Sequence, residues 1–402
     1  MSDIERSLAE LQATGLYRRL RLVSGPQGPH VTLDGESVLL LCSNNYLGLA
    51  EHPRVREAAA EAALRWGAGA GGSRLVSGTM TIHRRLEERL TAFEGTEACV
   101  LFGSGYLANV GVISALAGRG DVVFSDRLNH ASIIDGCRLS RAETVVYEHL
   151  DTDSLVWQLR RARERSRTGK RVIVTDTVFS MDGDIAPLVE LVEIARRWCA
   201  RLVVDEAHGT GVLGPGGRGA VADAGLEGEI DVVVGTLGKA LGSYGAYACA
   251  STAMTRLLIN RARSLIFSTA PPPPAIGAAL AALELLEQQP ELVGTLRERS
   301  ALLRRALAAE GLSVPSERTQ IIPVLVGDPQ RAMRMCELAL ARGVFAQAIR
   351  PPTVPDGTSR LRLAVMASHT PAELAEAARV LGDAAREVGL LDRAGAGERQ
   401  AA

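Results

Sequence analysis

The rhythm of apolar and polar positions changes three times along the 402 residues. Ile4, Leu8, Leu11, Leu16 and Leu20 recur among charges at helical spacing, which predicts a helix over 3–20 ending in Tyr17-Arg18-Arg19-Leu20-Arg21. From His30 to Leu41 the pattern alternates about Asp34-Gly35, the mark of a hairpin with two short strands. Cys42 to Leu49 reads as a polar turn, 53–66 and 81–93 as helices, and Gly67 to Ser73 as a flexible glycine loop.

From Ala98 onward, apolar runs at 98–102, 121–125, 143–147, 171–176, 201–205, 231–236 and 245–250 alternate with helical patterns at 105–117, 131–140, 152–166 and 187–199. This alternation predicts an α/β fold with a mainly parallel sheet. After Pro271-Pro-Pro-Pro274 the rhythm changes again. Helices at 275–289, 292–310, 329–342 and 371–388 and strands at 319–326, 344–348 and 359–365 predict a smaller α+β domain. The expected organisation is an N-terminal helix and hairpin segment (1–45), a large domain (46–274), a small C-terminal domain (275–389) and a polar tail (390–402).

Composition narrows the classes. Lys+Arg 45 against Asp+Glu 46 leaves a net charge of −1, so nothing points to a nucleic-acid or anionic-membrane partner. The one uncharged stretch of membrane length, Ser264 to Leu283, carries four prolines and reads as a loop followed by a buried helix. The charged N-terminus lacks the apolar run of a secretory signal, and the six scattered cysteines show no metal-ligand spacing. A cytoplasmic protein with reduced thiols and no metal site is expected.

Candidate chemistry centres on Lys239, one of only two lysines among the 45 basic residues. It follows a buried strand in a small-residue loop, Gly235-Thr-Leu-Gly-Lys239, where a guanidinium would serve as well for charge but could not attack a carbonyl. On this window alone, a lysine lining a phosphate loop is the competing reading. The spacing is too short for a Walker loop. Gly103-Ser-Gly-Tyr106 lies where a strand gives way to a helix, which makes either an anion seat or a helix capped by Ser104. Thr236 could add a hydroxyl to the same anion. Asp205 ends a buried strand and either caps a loop or pairs with a pyridinium N–H, and His208 follows it. His130, after Asn129, is either a packed histidine or a ring lying over a cofactor. A phosphate seat and a carbonyl-reactive lysine at converging strand ends suggest pyridoxal phosphate. Gly214-Pro-Gly-Gly-Arg-Gly219 matches G-x-G-x-x-G in form only, without the flanking strand and helix.

Asn44-Asn-Tyr-Leu-Gly48, Gly105-Tyr106, Asn129-His-Ala-Ser132, Phe179-Ser-Met-Asp-Gly183, Asp205-Glu-Ala-His-Gly209 and Thr236-Leu-Gly-Lys239, in this order, resemble the α-oxoamine synthases over about residues 1–389. These are fold-type I pyridoxal-phosphate enzymes that condense an amino acid with an acyl thioester and release CO2. The resemblance implies Lys239 as the lysine bonded to the cofactor, Asp205 at the pyridine nitrogen, His208 at the phenolic oxygen and His130 on the ring and against substrate. It places Gly105, Tyr106 and Thr236 on the phosphate with Ser180 close by. Asn44, Arg18 and Thr353 match substrate-contacting positions, and Arg362 matches the arginine that grips the amino-acid carboxylate. Tyr106 departs from relatives that carry phenylalanine there. The family forms homodimers with the active site at the interface, so Ser268-Thr269 is expected near the partner's phosphate. Arg350-Pro-Pro-Thr-Val-Pro355 and Gly71-Gly-Ser73 resemble the member that joins L-alanine to a pimeloyl thioester, carried on coenzyme A or acyl carrier protein. The alternatives are the glycine-using, acetyl-transferring sister and, more remotely, another fold-type I enzyme or a binding protein on the same fold.

Overall fold

A computed structural model describes residues 2–165 and 169–392, so the last residue of the helix expected at 152–166, residues 167–168 and residues 393–402 of the expected tail lie outside the described residues. The described residues divide into two compact units, one drawn from 45–180 and 184–294 and one from the residues up to 44, 181–183 and those from 295 on.

The first of these is built on a seven-stranded sheet in the order Ala98–Phe102, Ala246–Ala250, Val232–Thr236, Arg201–Asp205, Arg171–Asp176, Val122–Asp126, Glu143–Tyr147. All pairings are parallel except the two made by Ala246–Ala250. Its central strands are runs such as Val232-Val-Val, buried throughout, as a sheet covered on both faces requires. Helix Gly105–Leu116 packs on one face with Val112 and Ile113 in the core, and it lies against helix Ala131–Ser140. Helices Thr252–Arg261 and Arg263–Ile266 were not expected from the periodicity. Only Thr255 and Leu258 of the longer one are buried, too few to print an apolar stripe. Helix Pro273–Gln288, grouped above with the small domain, packs on helix Pro53–Trp66 and belongs to this unit.

In the other unit the hairpin of His30–Leu33 and Glu36–Leu40 turns at Asp34 and Gly35, both with positive φ. The expected strand 344–348 is two strands. Val344–Phe345 extends the hairpin sheet through parallel pairing with Leu39 and Leu40, while Gln347–Ile349 joins Ile321–Gly327 and Ser359–Ala364 in a three-stranded sheet. The expected helix over 3–20 stops at Ala13, because Gly15 turns left-handed and the Leu16 and Tyr17 amides both return to the Leu11 carbonyl. Leu20 is fully exposed.

Tyr247, buried in the sheet, leaves room only for glycine at position 235, where a Cβ would sit 2.2 Å from its ring. Its hydroxyl donates to Glu94 at 2.5 Å and lies 3.1 Å from the Thr210 hydroxyl. Burial pushes the Glu94 carboxyl up to about 8, with the Tyr247 hydrogen bond and Arg218 opposing and Glu206 adding to the rise. A carboxyl raised in the folded state contributes stability that is full below its unfolded pKa and is lost as pH climbs through about 8. Glu94→Gln should therefore melt above wild type near pH ~9 and close to it near pH ~5. Parallel melting curves across that range would contradict the account.

Candidate active site

Two aspartates stand side by side at neighbouring strand ends, Asp176 in register with Asp205. Asp205 is 4% exposed. Its Oδ2 accepts from Asn109 Nδ2 at 2.6 Å and its Oδ1 from the Ala207 amide at 2.8 Å. The Asp176 carboxylate accepts from the His130 amide at 2.8 Å, and its own amide donates to Asn129 Oδ1 at 3.0 Å. Burial, and then the charge of Asp205, push Asp176 well above the usual carboxylate range. Two buried carboxylates with mutual repulsion make a place where a cation is strongly favoured. A pyridinium N–H meets that requirement.

Lys239 lies one short loop beyond Val232–Thr236. Its Nζ is 2.8 Å from His208 Nε2, and His208 Nδ1 is 2.7 Å from the hydroxyl of Tyr46. With Lys239 charged, Nε2 accepts and Nδ1–H donates to the tyrosine oxygen. Tyr46 is fully buried and His208 nearly so, which fixes the imidazole in place. The loop holds itself. The Thr236 hydroxyl donates to the Gly245 carbonyl at 3.1 Å and accepts from the Gly238 amide at 3.2 Å. Gly242, with φ +59°, runs so close to the backbone that a Cβ there would meet Ala50 N at 2.4 Å.

Helix Gly105–Leu116 starts beside this loop: a Cβ on Gly105 would lie 3.9 Å from the Thr236 side chain. The Ser104 hydroxyl caps the Leu107 amide at 3.3 Å, so the capping reading of Ser104 holds; the other first-turn amides have no acceptor within their own helix, as at any helix N-terminus. The Tyr106 hydroxyl turns away to Asp135, and the side chain is half exposed. His130 caps helix Ala131–Ser140, its Nδ1 2.7 Å from the Ser132 hydroxyl and accepting from the Ser132 amide at 3.2 Å. Desolvation lowers its pKa, Asp205 pulls the other way and Lys239 adds to the lowering. A neutral ring follows, suited to stacking.

Tyr46 and Ser132 stand inside the quoted motifs, and Asn109 within the helix expected at 105–117, without a role assigned to them from sequence. Asn109 Nδ2 bridges Asp205 to the Ser132 hydroxyl, 2.9 Å away, so one amide ties the candidate ring-nitrogen partner to the helix that follows His130. The string 214–219 forms a 3-10 turn, Pro215–Gly217, and a short helix, Gly219–Asp223, with no strand leading into it.

In the other unit, Arg362 is 6% exposed and its Nη1 donates to Asn44 Oδ1 at 3.2 Å, bringing together two candidate substrate residues. Arg18 and Thr353 line one cleft of about 720 Å³ with Arg21 and Arg350. Desolvation, and then the nearby charge of Arg18, lower the pKa of Arg350. Ser73 and Thr269 form an isolated antiparallel bridge, and the Ala270 amide donates to Gly72, so the glycine loop and the Ser268-Thr269 segment are one piece of backbone. Phe267 and Val76 beside it are 70% and 83% exposed.

A paired lysine and histidine, a buried aspartate and a helix N-terminus at converging strand ends match the donor and acceptor types that pyridoxal phosphate requires. The family model for aminotransferase class I and II matches residues 36–381. The chain belongs to that family and, within it, to the pyridoxal-phosphate-dependent α-oxoamine synthases. It is 51% identical to the 8-amino-7-oxononanoate synthase of Citrifermentans bemidjiense over 97% of this chain and 100% of that protein. Its identity to the enzyme of the same name from Geobacter sulfurreducens is 52%, over 97% and 99%. Among solved structures, serine palmitoyltransferase from S. paucimobilis, with bound PLP and myriocin, superposes with a TM-score of 0.91 at 33% identity over 96% of this chain and 98% of that one. The 8-amino-7-oxononanoate synthase of Francisella tularensis superposes at 0.74 with 27% identity, over 87% and 98%.

Proposed function

We propose that the protein condenses L-alanine with a pimeloyl thioester and releases CO2 and 8-amino-7-oxononanoate, a step of biotin synthesis. The observation that carries this reading is the match, at 51% and 52% identity and over nearly the whole length, to proteins named for that product. Serine palmitoyltransferase shares the fold more closely by superposition but only a third of the sequence. Substrate choice resides in side chains, so identity weighs more here.

When bound, pyridoxal phosphate supplies an electron sink for the amino acid's α-carbon. Lys239 would hold it, and its amine would be the group placed to take the α-proton; His208, 2.8 Å away, accepts from that amine. Asp205 would keep the ring nitrogen protonated, and neutral His130 would cover the ring. Gly105, Tyr106, Thr236 and Ser180 would seat the phosphate; for Tyr106 only the backbone is assigned, since its hydroxyl serves Asp135, and the Thr236 hydroxyl would turn to the phosphate the proton it gives to the Gly245 carbonyl. Arg362, held by Asn44, takes the amino-acid carboxylate, and Arg18 and Thr353 meet the acyl substrate. The exposed Phe267 and Val76 beside Ser268-Thr269 support a homodimer in which that segment reaches the partner's phosphate. The acyl group arrives on coenzyme A or acyl carrier protein, cytoplasmic pools that place the enzyme in the same compartment.

Purified protein given L-alanine and pimeloyl-CoA should yield 8-amino-7-oxononanoate and CO2, followed by mass spectrometry. Packing around one methyl discriminates by ~1–3 kcal/mol, so glycine should be a poor substrate and not an excluded one. A higher kcat/KM with glycine and acetyl-CoA would transfer the assignment to the glycine-using sister.

A further inference from the structure

His149 has no part in the site described so far. In sequence it follows strand Glu143–Tyr147 without any motif to mark it. In the structure its imidazole joins two carboxylates. Nδ1 lies 2.8 Å from Asp126 Oδ1 and Nε2 lies 2.8 Å from Asp184 Oδ2. A ring whose two nitrogens both face carboxylate oxygens is a double donor. Burial disfavours the charged ring, yet Asp126 and Asp184 prevail and raise its pKa to about 10. The ring stands edge-on to Phe179, centroids 4.4 Å apart.

The two aspartates belong to different turns. Asp126, 2% exposed at the end of its strand, accepts from the Leu128 amide at 2.8 Å through Oδ1 and from the Leu150 amide at 2.9 Å through Oδ2. Its carbonyl accepts from the Asn129 amide at 3.2 Å. It therefore shapes the turn that delivers Asn129 and His130. Asp184 lies in a second turn, closed by the Val178–Ile185 bridge and by the Phe179 amide donating to the Asp184 carbonyl at 3.0 Å. Ser180 sits on that turn, directly after the Phe179 that His149 touches.

We propose that His149 is a positioning residue for the cofactor: by bridging Asp126 and Asp184 it locks the His130 turn to the Ser180 turn, so that both are set before pyridoxal phosphate arrives. The proposal rests on the assignment of His130 and Ser180 to the cofactor, not on the choice of alanine or pimeloyl thioester. Its energetic basis is the pair of charge-assisted hydrogen bonds, which no uncharged side chain reproduces at both ends.

The test is His149→Gln, whose donors sit on one nitrogen and so do not span the two carboxylates as the two ring nitrogens do. Titrated with pyridoxal phosphate in the absence of substrate, the variant should bind at least about tenfold more weakly than wild type and show a diminished visible circular-dichroism band. In the cofactor-free protein, amides of 126–130 and 178–185 should exchange faster while the remaining strands keep their protection. Should His149→Gln fail to fold, Asp184→Asn at the half-exposed end of the bridge should show the same changes with smaller size. Wild-type affinity and an unaltered visible band in a folded variant, with only a lower Tm, would reduce His149 to a structural residue and overturn the proposal. That result would leave the substrate assignment untouched, since no substrate enters the measurement.

Discussion

Lys239→Ala is expected to abolish turnover and the visible absorbance of lysine-bound pyridoxal phosphate while leaving the fold in place. The loop around Lys239 owes its shape to other groups: the Thr236 hydroxyl on Gly245, the Gly242 amide on the Lys239 carbonyl and the close approach of Gly242 to Ala50. None needs the amine. In the proposed role, alanine would remove the covalent anchor and the base together, and groups with two roles in one cycle typically cost at least roughly 10⁴-fold in kcat. His208 would keep Tyr46 at Nδ1 and lose its contact at Nε2, a change of ~1–2 kcal/mol that thermal melting would register as a modest shift. The check is the spectrum before and after borohydride, with peptide mass spectrometry of the reduced protein. A reducible band that survives in the variant, or reduction mapped to Lys170, would defeat the assignment.

The sheet is legible in the sequence because buried parallel strands are apolar on both faces and stand out as runs such as Val232-Val-Val. Lys239, Asp205, His208 and His130 are legible for a related reason: each directly follows such a run or its turn, where an α/β sheet gathers ligands. Asn109 and Tyr46 are not, since an inward amide on a helix and a buried tyrosine look like ordinary residues until their partners are known. Those partners, Asp205 and His208, are 96 and 162 positions away. His149 is hidden in the same way, its two carboxylates lying 23 residues before it and 35 after it. The early end of the first helix and the splitting of 344–348 are failures of a different kind. Leucines at 16 and 20 keep helical spacing after Gly15 has already turned the chain, and one apolar run serves two sheets.

Asp205→Asn should separate catalysis from stability, with activity and melting moving in opposite directions. In the role proposed above, the carboxylate would hold the cofactor's ring nitrogen protonated. A neutral amide removes the charge and turns its NH2 toward either Asn109 Nδ2 or the Ala207 amide, both of which are donors. Loss of a preorganised charge at a site excluded from water should lower kcat by at least about 10²–10³-fold, with a smaller effect on cofactor affinity, because the lysine bond and phosphate seat are intact. Stability follows Asp176. Its pKa is raised first by burial and then by Asp205, and a carboxyl raised in the folded state loses its contribution as pH climbs through that raised value. Removing the Asp205 charge brings Asp176 back toward the ordinary range and lessens the loss. Cofactor-free Asp205→Asn should therefore melt at or above the wild-type temperature near pH ~8, against the trend for substitutions at buried polar positions. Near-normal turnover would assign the ring nitrogen to another residue, and a lower Tm at that pH would mean that the Asn109 and Ala207 hydrogen bonds outweigh the repulsion between the two aspartates.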